Sequence, residues 1–280
     1  HAPDLAVICT PARTVPSLVH ELGEVGTRGI VIISAGFREI GDEGKKLEAQ
    51  LCEEQAKYPG MRIIGPNCLG IIVPGISLNA SFAAATPPKG HIGFISQSGA
   101  LCTSVLDWAI DQGIGFSYFV SVGNMLDVTI ADLIDYFGSQ TETQSIILYI
   151  ESITEAREFM SAARAFARTK PIVAYKAGRF AESAAAAASH TGAMAGVDAV
   201  YEAAFQRAGI EVQFFGYGHS HCGGNLRNHN LVRVGYCSQK IVNFFFFHNG
   251  PHWTGQGTLA AHYALGFYQE FVIHGAGEPI

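Results

Sequence analysis

Along its first three quarters this chain repeats one unit: a continuous apolar run too short for a helix, then a stretch with helical spacing. D-L-A-V-I-C at 4–9 is the first run, and Gly29 to Ile33 and Met61 to Ile64 are the next two. An unbroken apolar run of about four to six residues needs cover on both faces, which a strand inside a parallel sheet receives. Between the runs, Val15, Leu18, Val19 and Leu22 recur at helical spacing, with Gly23 or Gly26 to stop the helix. Asp42 to Tyr58 reads as a charged amphipathic helix closed by Pro59-Gly60. Strand alternating with helix predicts an α/β fold around parallel sheets.

Pro87-Pro88-Lys89-Gly90 interrupts the pattern and reads as a linker. After it the alternation restarts, with strands expected at 91–95, 116–121, 145–150 and 171–175 and helices at 99–112, 129–138, 154–168 and 193–208. This divides the chain into a Rossmann-like domain at 1–86 and a doubly wound domain at 87–212. No Gly-rich turn precedes the first strand, so the first domain is expected to be truncated, without its N-terminal β-α unit. From residue 213 onward the pattern breaks. This tail holds seven of the 11 histidines and only five Asp, Glu, Lys or Arg residues, and Phe244 to Phe247 lies in no periodic context. An irregular tail at 213–280, arising from a shifted reading frame or a mis-joined gene end, is the expectation; its histidines lack metal-site spacing, and no metal is expected.

A formal charge of −6 without a Lys/Arg cluster argues against nucleic acid or an anionic membrane as partner. No apolar run approaches the roughly 18 residues of a membrane span. Six cysteines without C-x-x-C spacing indicate neither a zinc site nor a disulfide framework, which points to a reducing, cytoplasmic setting and to small-molecule chemistry.

In open parallel sheets ligands bind beyond the carboxyl ends of the strands, and there the polar residues of this chain collect. Ser98-Gly99 falls where a helix begins, so its N–H groups and hydroxyl suit a phosphate; a simple Ser N-cap fits the same residues. Glu151 directly follows the run 146–150, where a carboxylate can fix the tautomer of an imidazole; a surface carboxylate at a strand end fits equally. In A-S-H-T-G-A-M-A-G, at 188–196, His190 is flanked by small residues and Thr191-Gly192-Ala193 opens a helical pattern. A phosphoryl carrier fits His190, Gly192 and that helix start, as does a capping or core histidine. Cys68 reads as a small buried residue in a tight loop, with a reactive thiol the alternative.

G-P-N-C-L-G (65–70), G-F-I-S-Q-S-G-A-L (93–101), Y-I-E-S-I (149–153) and S-H-T-G-A-M-A-G (189–196) together resemble, in order and spacing, the NDP-forming acyl-CoA (acetyl-CoA) synthetases, relatives of the succinyl-CoA synthetase alpha subunit. L-N-A-S-F, L-D-W-A, G-F-S-Y-F and S-A-A-R-A look most like the synthetase-like half of bacterial proteins that fuse this module to an acetyltransferase domain. The resemblance implies a CoA-binding Rossmann-like domain followed by a flavodoxin-like phosphohistidine domain. It makes His190 the phosphoryl acceptor, Glu151 its orienting carboxylate, and Ser98, Gly99 and Gly192 the phosphate site. Thr10, Pro11, Ser34, Ala35, Gly36, Asn67 and Cys68 would line the CoA site. It further implies acyl-CoA and phosphate as substrates, and a separate ATP-grasp domain or subunit holding ADP or ATP with Mg. A second reading, of a different class, is a non-catalytic module that senses CoA or acetyl-CoA for an attached protein acetyltransferase.

Overall fold

The computed structural model describes residues 1–177 and 198–213. His190, Gly192 and the 214–280 tail lie outside the described residues.

The first unit is a three-stranded parallel sheet, β1 (Leu5–Ile8), β2 (Gly29–Ile32) and β3 (Arg62–Ile64), in the order β1-β2-β3. Its crossovers are α1 (Val15–Glu24), which carries Pro at its start, and α2 (Asp42–Gln55), with Asp42 and Glu43 in its first turn. Acidic residues suit a helix start because the unpaired N–H groups there are partly positive. Ile30 and Ile32 pack with Val15, Val19, Leu51 and Ile63 into one core, all at most 1% exposed. Burying side chains of this size contributes about 1.5–3 kcal/mol each relative to exposure, which explains why the central strand β2 is unbroken Gly-Ile-Val-Ile. β3 ends where expected, β2 ends at Ile32, one residue before the expected Ile33, and α2 stops three residues short of Tyr58 in a turn.

The second unit holds seven strands in the order β10-β9-β8-β6-β7-β4-β5. Five are parallel: β6 (Lys89–Ser96), β7 (Phe116–Ser121), β8 (Ser145–Ile150), β9 (Ile172–Lys176) and β10 (Glu211–Gln213). Counted from β6 as the first, this is the flavodoxin-like order 2-1-3-4-5. One sheet face, including Ile95, Val120 and Leu148, is covered by α4 (Ile130–Ser139), α5 (Ala156–Ala167) and α6 (Asp198–Ala208) in a single core. On the opposite face lies α3 (Gly99–Asp111), whose Cys102 meets the Ser96 and Ser121 hydroxyls. The sheet is therefore wound on both sides. Thr129 and Asp132 close a reciprocal capping box at the start of α4, which satisfies two N–H groups at once.

The remaining two strands, β4 (Gly70–Val73) and β5 (Leu78–Ser81), form a hairpin that the apolar runs do not signal. Although the 1–86 boundary places it with the first unit, β4 pairs antiparallel with β7 at Ile71↔Val120 and Ile72↔Phe119. Hydrogen bonding thus assigns residues 70–81 to the second sheet, and the last described strand of the first sheet ends at Ile64.

Candidate functional site

The carboxyl ends of the two sheets meet through the segment that follows β7. Val128 N–H donates to Ile63 O (3.1 Å), Leu126 N–H to Gly65 O (3.0 Å) and Asn124 N–H to Pro66 O (2.8 Å), so this segment runs along the outer edge of β3. Asp127 fastens it, accepting from Ile63 N–H at 2.7 Å and pairing with Arg62 at 3.0 Å. Gly123 adopts φ +54°, and a Cβ there would stand 2.2 Å from Pro66 O; only glycine lets the two loops approach this closely.

On the first-unit side, three of the residues expected to bind CoA lie together. Ser34 Oγ donates to Thr10 O at 2.5 Å, and Asn67 N–H donates to Ser34 O at 2.9 Å. Thr10, Pro11 and Ala35 are exposed and Gly36 partly so. Arg13, exposed in the short helical turn after Thr10, is a residue the motif reading missed. An open rim of hydroxyls, small residues and one guanidinium suits a ligand with phosphate and amide groups. Cys68 does not belong to that rim. It is 2% exposed, its thiol donates to Ile32 O at 3.3 Å, and burial pushes its pKa up to about 12. A buried side chain cannot line an open site, so the CoA-lining role that the resemblance gives Cys68 is corrected, and its reading as a small buried residue in a tight loop stands.

Behind that rim stands Glu39, which no motif marked. Its Oε1 accepts from Gly36 N–H (2.5 Å) and Phe37 N–H (3.1 Å), and its Oε2 from Asn124 Nδ2 (2.7 Å). Burial alone would raise its pKa, but the Asn124 bond and the backbone donors outweigh it and hold the carboxyl below its ordinary 4.5. Asn124 is 7% exposed and also reaches Glu48 (3.2 Å) and Asn67 (3.3 Å), while its carbonyl accepts from Arg38.

On the second-unit side, the neighbours of β6 reverse direction in sequence between β7 and β8, the place where doubly wound sheets open a crevice. Ser96 to Gly99 and Glu151-Ser152 both border it. Ser98 Oγ accepts from Leu101 N–H at 3.4 Å, so its hydroxyl is an N-cap of α3, and Ser98 N–H donates to Ser96 Oγ at 3.0 Å. The two candidate stretches are joined by Gln97, whose side chain accepts from the Glu151 and Ser152 N–H groups. Beside it a cleft is lined by Met125, Thr129, Ser152, Ile153 and Phe159. Among the described residues there is no cluster of three or more His, Cys, Asp or Glu able to hold a metal, and no helix long and apolar enough to cross a membrane.

A flavodoxin-order sheet joined edge to loop with a smaller parallel sheet, carrying polar loops at both sets of carboxyl ends, defines a two-unit α/β ligand-binding protein. Residues 1–74 match the CoA binding domain family, and residues 89–213 match the succinyl-CoA ligase like flavodoxin domain. This chain is 48% identical over 209 residues to the acetate–CoA ligase [ADP-forming] II subunit alpha of Pyrococcus furiosus, covering 75% of the chain and 45% of the relative. It is also 48% identical over 207 residues to the acetate–CoA ligase [ADP-forming] of Methanocaldococcus jannaschii, covering 74% and 29%. The dinucleotide forming acetyl-coenzyme A synthetase 1 of Ca. Korarchaeum cryptofilum, solved with phosphate and ADP, superposes with a TM-score of 0.72 at 39% identity, covering 76% of this chain and 46% of that one. Through residues 1–74 and 89–213 the chain belongs to these two domain families, and over the same span it is similar to ADP-forming acetate–CoA ligases. It spans less than half the length of these relatives.

Proposed function

We propose that this chain supplies the CoA-binding and phosphohistidine module of an ADP-forming acyl-CoA synthetase, with acetyl-CoA as the acyl donor. In the reaction, a phosphate oxygen displaces the CoA thiolate from the acyl carbonyl and gives an acyl phosphate. His190 then attacks its phosphorus, and the carboxylate leaves. An ATP-grasp domain or subunit, holding ADP with Mg, takes the phosphoryl group on to ATP. Glu151 fixes the imidazole, and Ser98, Gly99 and Gly192 receive the phosphoryl group. The setting is cytoplasmic.

The observation that carries this reading is the junction itself: Asn124 and Gly123 tie the loops of Asn67 and Glu39 to the segment after β7, and that segment reaches the crevice side where Val122 N–H donates to Ser96 O at 2.8 Å, two residues before Ser98. Chemistry that joins CoA to phosphate needs both sites within one substrate's reach. The alternative, a CoA or acetyl-CoA sensor attached to an acetyltransferase domain, needs the rim but neither a nucleophilic histidine nor a carboxylate to orient it.

Incubating the full chain with acetyl-CoA and radiolabelled phosphate tests it. One acid-labile, base-stable phosphate per chain is expected, lost in His190→Asn. A folded wild-type protein that binds CoA and never gains the label would leave the sensor.

A further inference from the structure

Where β6 ends, its chain turns away into α3, and the last rungs of the β6–β8 ladder need another partner. The final backbone pair is Ser96↔Tyr149, followed by Gln97 N–H donating to Tyr149 O at 3.2 Å. Past that point the side chain of Gln97 replaces the missing strand. Its Oε1 accepts from Glu151 N–H at 2.5 Å and Ser152 N–H at 3.0 Å, and its Nε2 donates to Ser152 O at 3.0 Å and lies 3.6 Å from Met125 Sδ. The residue is 9% exposed. A primary amide has two acceptor sites and two donors, and all four are matched here.

We propose that Gln97 is the positioning residue of the phosphoryl site: it fixes the backbone of Glu151 and Ser152, and thereby the place from which the Glu151 carboxylate acts. This rests on the reading of Glu151 as the orienting carboxylate. The chemistry selects Gln. Asn is one methylene too short to span both strand ends. Glu keeps the accepted bonds, loses the donor to Ser152 O, and sets a second carboxylate beside Glu151. Met matches the length and leaves two N–H groups and one carbonyl without their partner.

The test measures the rate of phosphate incorporation from acetyl-CoA and radiolabelled phosphate, in the full chain with any partner subunit that copurifies. Gln97→Met is expected to slow labelling about 100-fold, the scale of a misplacement of about 1 Å, while the apparent affinity for acetyl-CoA changes less than about twofold. Gln97→Glu should fall between. In a Glu151→Gln background the same Gln97→Met change should cost less than about threefold, because the residue it positions is already disabled. Amide hydrogen exchange should rise at Glu151 and Ser152 in Gln97→Met. Wild-type labelling rates in both Gln97 variants, or an equal cost with and without Glu151, would overturn the proposal. If Gln97→Met does not fold, Gln97→Glu and its double variant carry the same comparison. Should Glu151→Gln label like wild type, it is the role of Glu151 that fails, a result separate from one in which Glu151→Gln is slow and the Gln97 variants are not.

Discussion

Asn124 donates its side-chain amide to Glu39 at 2.7 Å across 85 residues of sequence, and this bond ties the rim of the first unit to the loop that closes the second. Glu39 in turn holds Gly36 and Phe37 by their N–H groups, so a displacement of Asn124 is passed directly to the rim.

Replacing Asn124 by Ala should therefore act on both stability and binding. It removes donors from two carboxylates, Glu39 and Glu48, and leaves them close together with one fewer compensating group. Loss of such charge-assisted bonds costs about 1.5–3 kcal/mol, or roughly 3–12 °C in melting temperature for a protein of this size. CoA affinity should fall with it. Calorimetry on Asn124→Ala and wild type checks both, and an unchanged melting temperature would remove Asn124 from the junction.

Glu39 gives that junction a pH dependence of fixed sign. Its folded-state pKa is held below 4.5, so its contribution is present in full above its ordinary value and is lost as the pH falls through the lower folded value. The melting-temperature gap between wild type and Glu39→Gln should accordingly be constant from pH 7 to about 5 and shrink below about 4.5. A gap that grows on acidification would contradict the assignment.

The alternation of strand and helix was legible because inner parallel strands such as β2, β8 and β9 are covered on both faces and carry nearly unbroken apolar runs, whereas at the edge strand β1 Val7 is 42% exposed, so cover on both faces, expected there, does not hold. The β4–β5 hairpin was not legible. At the edge of a sheet its two strands are only four residues each, β4 alternates buried and half-buried positions and β5 buries Ala80 alone, and Pro74-Gly75 and Asn79 read as loop chemistry. Within the candidate site, Ser98 and Glu151 were legible from their place after apolar runs. Gln97, Glu39 and Asn124 act through partners 54, 85 and 86 residues away, and no local spacing reports such contacts. Cys68 was legible as a small buried residue in a tight loop; only the role the resemblance gave it at the CoA rim failed, because a motif fixes the loop and says nothing of which way the thiol turns.

Thiol chemistry should follow burial. Only the thiolate is nucleophilic, and burial pushes Cys68 and Cys102 up to about 12. Cys9 and Cys52 are exposed, although partial burial and the nearby Glu48 also raise Cys52. Among these four, iodoacetamide at neutral pH should modify Cys9 first, Cys52 more slowly, and Cys68 and Cys102 only on unfolding, as read by peptide mass spectrometry. Cys68→Ser should leave phosphate incorporation intact. Rapid alkylation of Cys68 in the folded protein would restore it to the open rim.

Gly99 separates what the fold requires from what a ligand requires. It is the first residue of α3, and an added Cβ would lie 3.4 Å from Leu69 N and 3.8 Å from Cys68 C, ordinary contact distances. The fold therefore has room for a methyl group. Gly99→Ala should leave the melting temperature unchanged or raise it slightly, since Ala loses less backbone freedom on folding by about 0.5–1 kcal/mol. If the phosphoryl group is held against the first turn of α3, the same methyl stands in its path. Phosphate retention on the labelled protein should then fall by roughly tenfold, the scale of one weakened charge-assisted hydrogen bond, with the site of attachment unchanged. Ser98→Ala should differ by lowering stability as well, because its hydroxyl caps the helix, a loss of about 0.5–2 kcal/mol. A Gly99→Ala protein as stable as wild type that retains phosphate equally well would move the phosphoryl site away from the start of α3.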